Sequence, residues 1–121
     1  MRALICEDDP SIRALVLTVL KRQGFTVDVA ENGAVGLERL EENCYDLLVL
    51  DLMMPGIDGY GVLRRLKDER PTNLKRVVVM TAAVDAIREF PEQICTLLPK
   101  PFDIGALVNA AKRCAAECER R

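Results

Sequence analysis

The chain has 121 residues, half of them hydrophobic, with 17 basic and 19 acidic side chains and a formal net charge of −2. That length suits one domain, expected to span residues 1–121, with enough apolar content to bury a core without help from metal or disulfides. Balanced charge argues against direct nucleic-acid binding by phosphate neutralisation, no apolar run approaches the ~20 residues of a membrane span, and the absence of histidine removes imidazole ligands, imidazole bases and any phosphohistidine of its own.

Strand and helix signals alternate from end to end. Ala3 to Cys6 is a short apolar run that stops at three acids, Glu7, Asp8 and Asp9. Asp9 suits a helix N-cap and Pro10 a first helical turn. Ile12, Leu15, Val16, Val19 and Leu20 then recur at helical spacing until Gly24. Phe25, Val27 and Val29 alternate with Thr26 and Asp28, the pattern of a strand with one wetter face at a sheet edge. Asn32 caps a second helix carrying Val35, Leu37 and Leu40. Asp46 to Asp51 is an apolar strand bounded by carboxylates. A Met-Met-Pro-Gly turn and a helix from about Asp58 to Asp68 follow it. Arg76 to Thr81 is a fourth strand, rich enough in β-branched residues to be central. A short amphipathic piece with Val84, Ile87 and Phe90 ends at Pro91. Ile94 to Leu98 form a fifth strand, and Asp103 caps a last helix with Ile104, Leu107, Val108 and Ala111 on one face.

Five βα units with buried strands predict a doubly wound α/β sandwich of three layers, its parallel sheet covered on both faces. Right-handed crossovers bring the C-terminal ends of the strands to one edge, where ligands of such folds bind. The polar residues at those ends are therefore expected to form one site: Glu7 and Asp8 after the first strand, Asp51 at the end of the third, Thr81 at the end of the fourth and Lys100 after the fifth. Several clustered carboxylates repel one another unless a cation neutralises them. An all-oxygen set suits Mg²⁺ or Mn²⁺. Asp51 can then serve as a nucleophile toward phosphorus, Lys100 as a cation for the phosphoryl group and Thr81 as a hydroxyl donor to it. Taken singly each has a plainer role, and Asp9 beside Pro10 is read as a cap only.

The five cysteines, Cys6, Cys44, Cys95, Cys114 and Cys118, are odd in number and form no Cys-x-x-Cys pair. They read as reduced thiols of a cytoplasmic protein, not as a disulfide framework.

The segments Ile5–Arg13, Asp46–Gly59, Val78–Ala82 and Leu98–Phe102 resemble the receiver domain of two-component response regulators, and the resemblance covers essentially the whole chain. It implies a flavodoxin-like (βα)5 fold with sheet order 2-1-3-4-5. Asp51 is implied as phospho-acceptor, Asp8 as a direct Mg²⁺ ligand, Glu7 as a ligand through water and the Met53 carbonyl as a further ligand. Thr81 is implied as the switch hydroxyl and Lys100 as the phosphate-binding lysine, with a cis bond to Pro101. The phosphoryl donor would be a histidine kinase or a histidine phosphotransfer protein. The domain would catalyse its own phosphotransfer and dephosphorylation, as a cytoplasmic signalling switch upstream of an effector.

Two features depart from the family pattern. Leu97 stands where the family usually has a switch Tyr or Phe, and the stretch from Thr81 to Lys100 is short. The expected moving part is therefore residues 82–92, with smaller changes at 97–102. A phosphorylation-independent interaction module of the same fold is the alternative reading. A flavodoxin would need a Ser/Thr/Gly-rich phosphate loop where Glu7, Asp8 and Asp9 stand. A haloacid-dehalogenase-like phosphatase would need an acid at Met53.

Overall fold

Apart from the alternating β2 segment Thr26–Ala30, each strand of the sheet is a short apolar run stopped by polar residues, and each described α-helix begins at a side-chain cap. The structure, a computed structural model, describes residues 1–54, 56–82 and 94–118. In chain order the elements are β1 (Arg2–Cys6), α1 (Pro10–Arg22), β2 (Thr26–Ala30), α2 (Gly33–Glu42), β3 (Leu47–Asp51), α3 (Gly59–Glu69), a 3-10 turn (Pro71–Arg76), β4 (Val77–Thr81), β5 (Thr96–Pro99) and α4 (Ile104–Cys114). The caps satisfy amide donors that would otherwise be orphaned at the helix starts. Asp9 Oδ1 accepts from Ser11 and Ile12, Asn32 from Val35, Asp58 from Gly61 and Asp103 from Ala106.

All five strands pair in parallel, in the order β2-β1-β3-β4-β5. Side chains alternate between the two faces of the sheet, and each face has its own core. Ala3, Ile5, Leu47, Val49, Val78 and Met80 pack against Val16, Val19 and Leu20 of α1 and Leu107, Ala110 and Ala111 of α4. Leu4, Leu48, Leu50, Val77 and Val79 face the other way, against Leu40 of α2 and Val62, Leu63 and Leu66 of α3. Burying one such side chain is worth roughly 1.5–3 kcal/mol. β3 and β4, with every residue buried, are therefore the best-anchored of the described elements, and Asp51 ends β3. The chain order reverses between β1 and β3, which opens the crevice of a doubly wound sheet at that edge.

Several details differ from the sequence expectations. β5 begins at Thr96, two residues after the predicted Ile94 start, although the Cys95 amide already donates to Val77. The 3-10 turn was not anticipated; Pro71 starts it after the Arg70 cap of α3. The predicted amphipathic piece Val84–Phe90, and most of the expected moving segment 82–92, lie outside the described residues. The cysteine reading is corrected. Cys44 is bonded to Cys118 and Cys95 to Cys114, each with a Cα separation of 5.8 Å, and Cys6 is free and buried. Spacings of 74 and 19 residues hid this proximity, which arises because α4 ends beside β5 and the chain then returns to the loop before β3. No helix among the described residues is long and apolar enough to cross a membrane.

Gly59 sets how closely α3 approaches the end of β3. A Cβ there would clash with the Asp51 carbonyl oxygen and lie 2.6 Å from Leu52 Cα, both rigid backbone atoms. Helix propensity favours Ala over Gly by only ~0.5–1 kcal/mol, whereas overpacking costs about 1–3 kcal/mol, so the clash wins. Gly59→Ala is expected to lower the denaturant midpoint of unfolding; an unchanged or raised midpoint would show that α3 can back away from β3.

Candidate functional site

The strand ends deliver their polar residues to one edge. Glu7 continues the line of β1, its amide donating to the Ala30 carbonyl at 3.0 Å. Asp8 follows in the loop to α1. Asp51 is the last residue of β3, Thr81 the last of β4, and Lys100 follows β5. Glu7, Asp8 and Asp51 each present a carboxylate oxygen, and these oxygens lie within 4.8 Å of one another. Lys100 Nζ sits 2.7 Å from Glu7 Oε1 and 3.4 Å from Asp51 Oδ2. Glu7 and Thr81 are fully buried, and Asp51 is 3% exposed.

This arrangement leaves a charge deficit. One ammonium stands against three carboxylates, and Glu7 Oε2 has no hydrogen-bond partner among the described residues although it is buried. An orphaned buried oxygen beside two further carboxylates fits a divalent cation of the oxygen-seeking kind, so the cluster is positioned to bind one. The electrostatics report the same deficit. Burial, reinforced by the neighbouring Asp51 carboxylate and only partly opposed by Lys100, raises the Glu7 pKa to about 8. For Lys100, partial burial disfavours the charge, but Glu7 and then Asp51 outweigh it and hold the ammonium above the ordinary lysine range.

The Met53 amide donates to Asp51 Oδ1 at 3.1 Å, which orients the carboxylate, while the Met53 side chain is 63% exposed. The Lys100 amide donates to the Thr81 carbonyl at 2.8 Å, tying the end of β5 to the end of β4. The Lys100–Pro101 peptide bond is cis. Leu97 does not reach the carboxylates; it pairs in register with Val79 and packs on the α2/α3 face of the sheet.

Sequence reasoning missed Arg13. Its Nη1 donates to the carbonyls of Glu7 and Asp8 at 3.0 and 3.4 Å, so the first turn of α1 clamps the loop that carries both acids. The signal available was an arginine one helical turn past the Asp9 cap, a position where its reach returns to the loop.

The sequence pattern of the response regulator receiver domain matches residues 3–112. Among curated relatives, the transcriptional activator protein PfeR of Pseudomonas aeruginosa is 37% identical over 106 residues, covering 88% of this chain and 35% of that protein. The DNA-binding transcriptional regulator NtrC of Escherichia coli is 37% identical over 112 residues, covering 90% of this chain and 24% of that protein. The chain thus spans about a quarter to a third of these relatives. Among solved structures, a sensor protein from Polaromonas sp. JS666 superposes with a TM-score of 0.82 at 31% identity, covering 93% of this chain and 94% of that one. The response regulator TrrA of Thermotoga maritima, solved in complex with Mg²⁺–BeF, superposes with a TM-score of 0.81 at 28% identity, covering 92% and 96%.

The raised pKa of Glu7 has a consequence for stability. A carboxyl whose pKa rises on folding favours the folded state fully below its unfolded value, near 4.5, and loses that contribution as pH rises through about 8. Without divalent cations the melting temperature is expected to fall across this window, and Glu7→Gln to flatten the slope. Thermal melts at stepped pH in a chelating buffer would decide it; an identical slope in Glu7→Gln would assign the titration to another group.

Proposed function

This chain belongs to the response regulator receiver domain family, and on that premise we propose that residues 1–121 act as one phosphorylation-dependent signalling unit with Asp51 as phospho-acceptor. The observation that carries the assignment is the buried Asp51 carboxylate at the crevice edge, beside Glu7 and Asp8 and within 3.4 Å of Lys100 Nζ. Mg²⁺ is the proposed cation, supported by the all-oxygen donor set and by the Mg²⁺–BeF bound to TrrA. Asp8 and Asp51 would hold it directly, with Glu7 acting through water and the Met53 carbonyl as a further ligand. Mg²⁺ would supply charge neutralisation at the phosphoryl oxygens.

The chain's own residues do the rest. The Met53 amide and the end of β3 hold Asp51 so that one carboxylate oxygen can attack the phosphorus of a phosphohistidine. The phosphorus–nitrogen bond breaks as the oxygen–phosphorus bond forms, and the imidazole leaves with its electron pair. Such transfers depend on positioning and charge stabilisation more than on a general base. Lys100 starts on Glu7, and a doubly charged group on Asp51 competes for it. Its move to the phosphoryl group, with closure of the Thr81 hydroxyl, would draw the ends of β4 and β5 together.

The donor would be a histidine kinase or a histidine phosphotransfer protein, and a cytoplasmic site of action would go with such a donor. Leu97 fills the expected switch position without the ring area or polar tip of an aromatic, so the response would be carried by packing on the α2/α3 face.

Incubation with a phosphohistidine donor and Mg²⁺ should label the chain through a hydroxylamine-labile bond, and Asp51→Asn should abolish it. Undiminished label in that variant would sink the assignment. Asp8→Ala should weaken Mg²⁺ binding at least about tenfold while raising the metal-free melting temperature, because one repelling carboxylate is gone. Unchanged affinity in a Mg²⁺ titration would remove Asp8 from the ligand set.

A further inference from the structure

Beyond α4 the chain turns back under the sheet, at the edge opposite Asp51. The amides of Ala116 and Cys118 donate to the carbonyl and Oδ1 of Asp46 at 3.1 and 2.8 Å. Buried Arg76 donates from Nε to the Ala116 carbonyl at 3.0 Å and from Nη2 to the Glu117 carbonyl at 2.8 Å. The Cys44–Cys118 bond closes over this same segment and ties it to the α2–β3 loop. A second bond, Cys95–Cys114, ties the approach to β5 to the last residue of α4.

The two bonds differ in access. Cys95 is half-buried but its partner Cys114 is buried, whereas Cys44 and Cys118 are both half-buried and border an open cleft of about 400 Å³. A sulfur within reach of solvent enters thiol–disulfide exchange, and a buried one resists it. Among the described residues, hydrogen bonds to Asp46 and Arg76 also hold the segment under the Cys44–Cys118 bond. Opening the bond therefore leaves the segment attached but able to lift.

We propose that Cys44 and Cys118 form a reversible thiol–disulfide modification site, exchanging with low-molecular-weight disulfides, that clasps or releases residues 115–118 independently of the Asp51 site. In the forward direction one cysteine gives its proton to solvent, and its thiolate attacks a sulfur of oxidised glutathione. The glutathione disulfide breaks and one glutathione thiolate leaves. The second cysteine, likewise deprotonated, attacks the mixed disulfide. The Sγ–Sγ bond forms and the second glutathione leaves, so two protein thiols are oxidised and one disulfide is reduced to two thiols. Reduced glutathione reverses both steps.

The test equilibrates the folded chain in glutathione buffers from fully reduced to fully oxidised. Thiols are then trapped by acid and alkylation for peptide mapping, and amide hydrogen exchange is followed in parallel. The Cys44–Cys118 linkage should appear and disappear reversibly without unfolding. The Ala116 and Cys118 amides should exchange at least tenfold faster when it is open, and in Cys44→Ser they should be fast in every buffer. Cys118→Ser serves the same purpose if Cys44→Ser fails to fold. The proposal is overturned if both thiols are alkylated even in oxidised glutathione, if the bond yields only on unfolding, or if the two states exchange equally fast. Mg²⁺-dependent beryllofluoride binding should be the same in both states, and a difference would refute independence. That arm alone rests on the phosphoryl-site reading; the thiol and exchange measurements do not.

Discussion

One ammonium group holds the functional edge together. Lys100 Nζ, just past β5, bridges Glu7, just past β1, and Asp51, the last residue of β3. Burying two carboxylates and leaving one of their oxygens unpaired costs several kcal/mol that the site itself does not return. The sheet offsets that cost elsewhere, through the two apolar cores that sandwich β1, β3 and β4. β5 is short and at the edge, and its tie to β4 through the Lys100 amide and the Thr81 carbonyl is what keeps the bridging cation in reach. The site is therefore a local conflict that the rest of the fold overrules, the usual signature of a functional rather than a structural cluster.

Much of this was readable because it depends on short-range chemistry. The alternation of Phe25, Val27 and Val29 with polar residues marks an edge strand, and β2 is one of the two edge strands. Asp9, Asn32 and Asp103 are each followed by an amide that their side chain caps. The carboxylates of the site could be grouped because parallel connectivity alone sends every strand's end to the same side. What escaped depends on three-dimensional return paths. Nothing local marks Cys44 as a neighbour of Cys118; the two meet because the chain beyond α4 returns to the loop before β3. Asp46 looked like a polar stop before an apolar strand; in the fold it receives amides from residues at both ends of the chain. The Arg13 clamp escaped for the same reason, since it acts on carbonyl oxygens that no side-chain pattern reveals.

The two ends of the strands have opposite characters. Among the described residues, the edge with Asp51 is short of positive charge and positioned to take a cation and a phosphoryl group. The other edge is satisfied. Asp46 and Arg76 find backbone partners there, and Tyr45 donates to Asp28 at 2.6 Å, which together with Arg2 lowers the Asp28 pKa. One pole is poised for change and the other is braced, so movement at the first has a fixed frame to act against.

That braced pole has an architectural consequence. The Arg2 amide donates to Asp46 Oδ2, and the Cys118 amide donates to the other oxygen of the same carboxylate. Residues 2 and 118 are thus neighbours across a single side chain. A linker of a few residues would join them, and fresh termini could be opened in an exposed surface turn such as the one at Gly24 between α1 and β2, giving a circular permutant with the same sheet. By the same geometry, the domain could be spliced into a surface loop of a host protein with both seams on one side, far from Asp51.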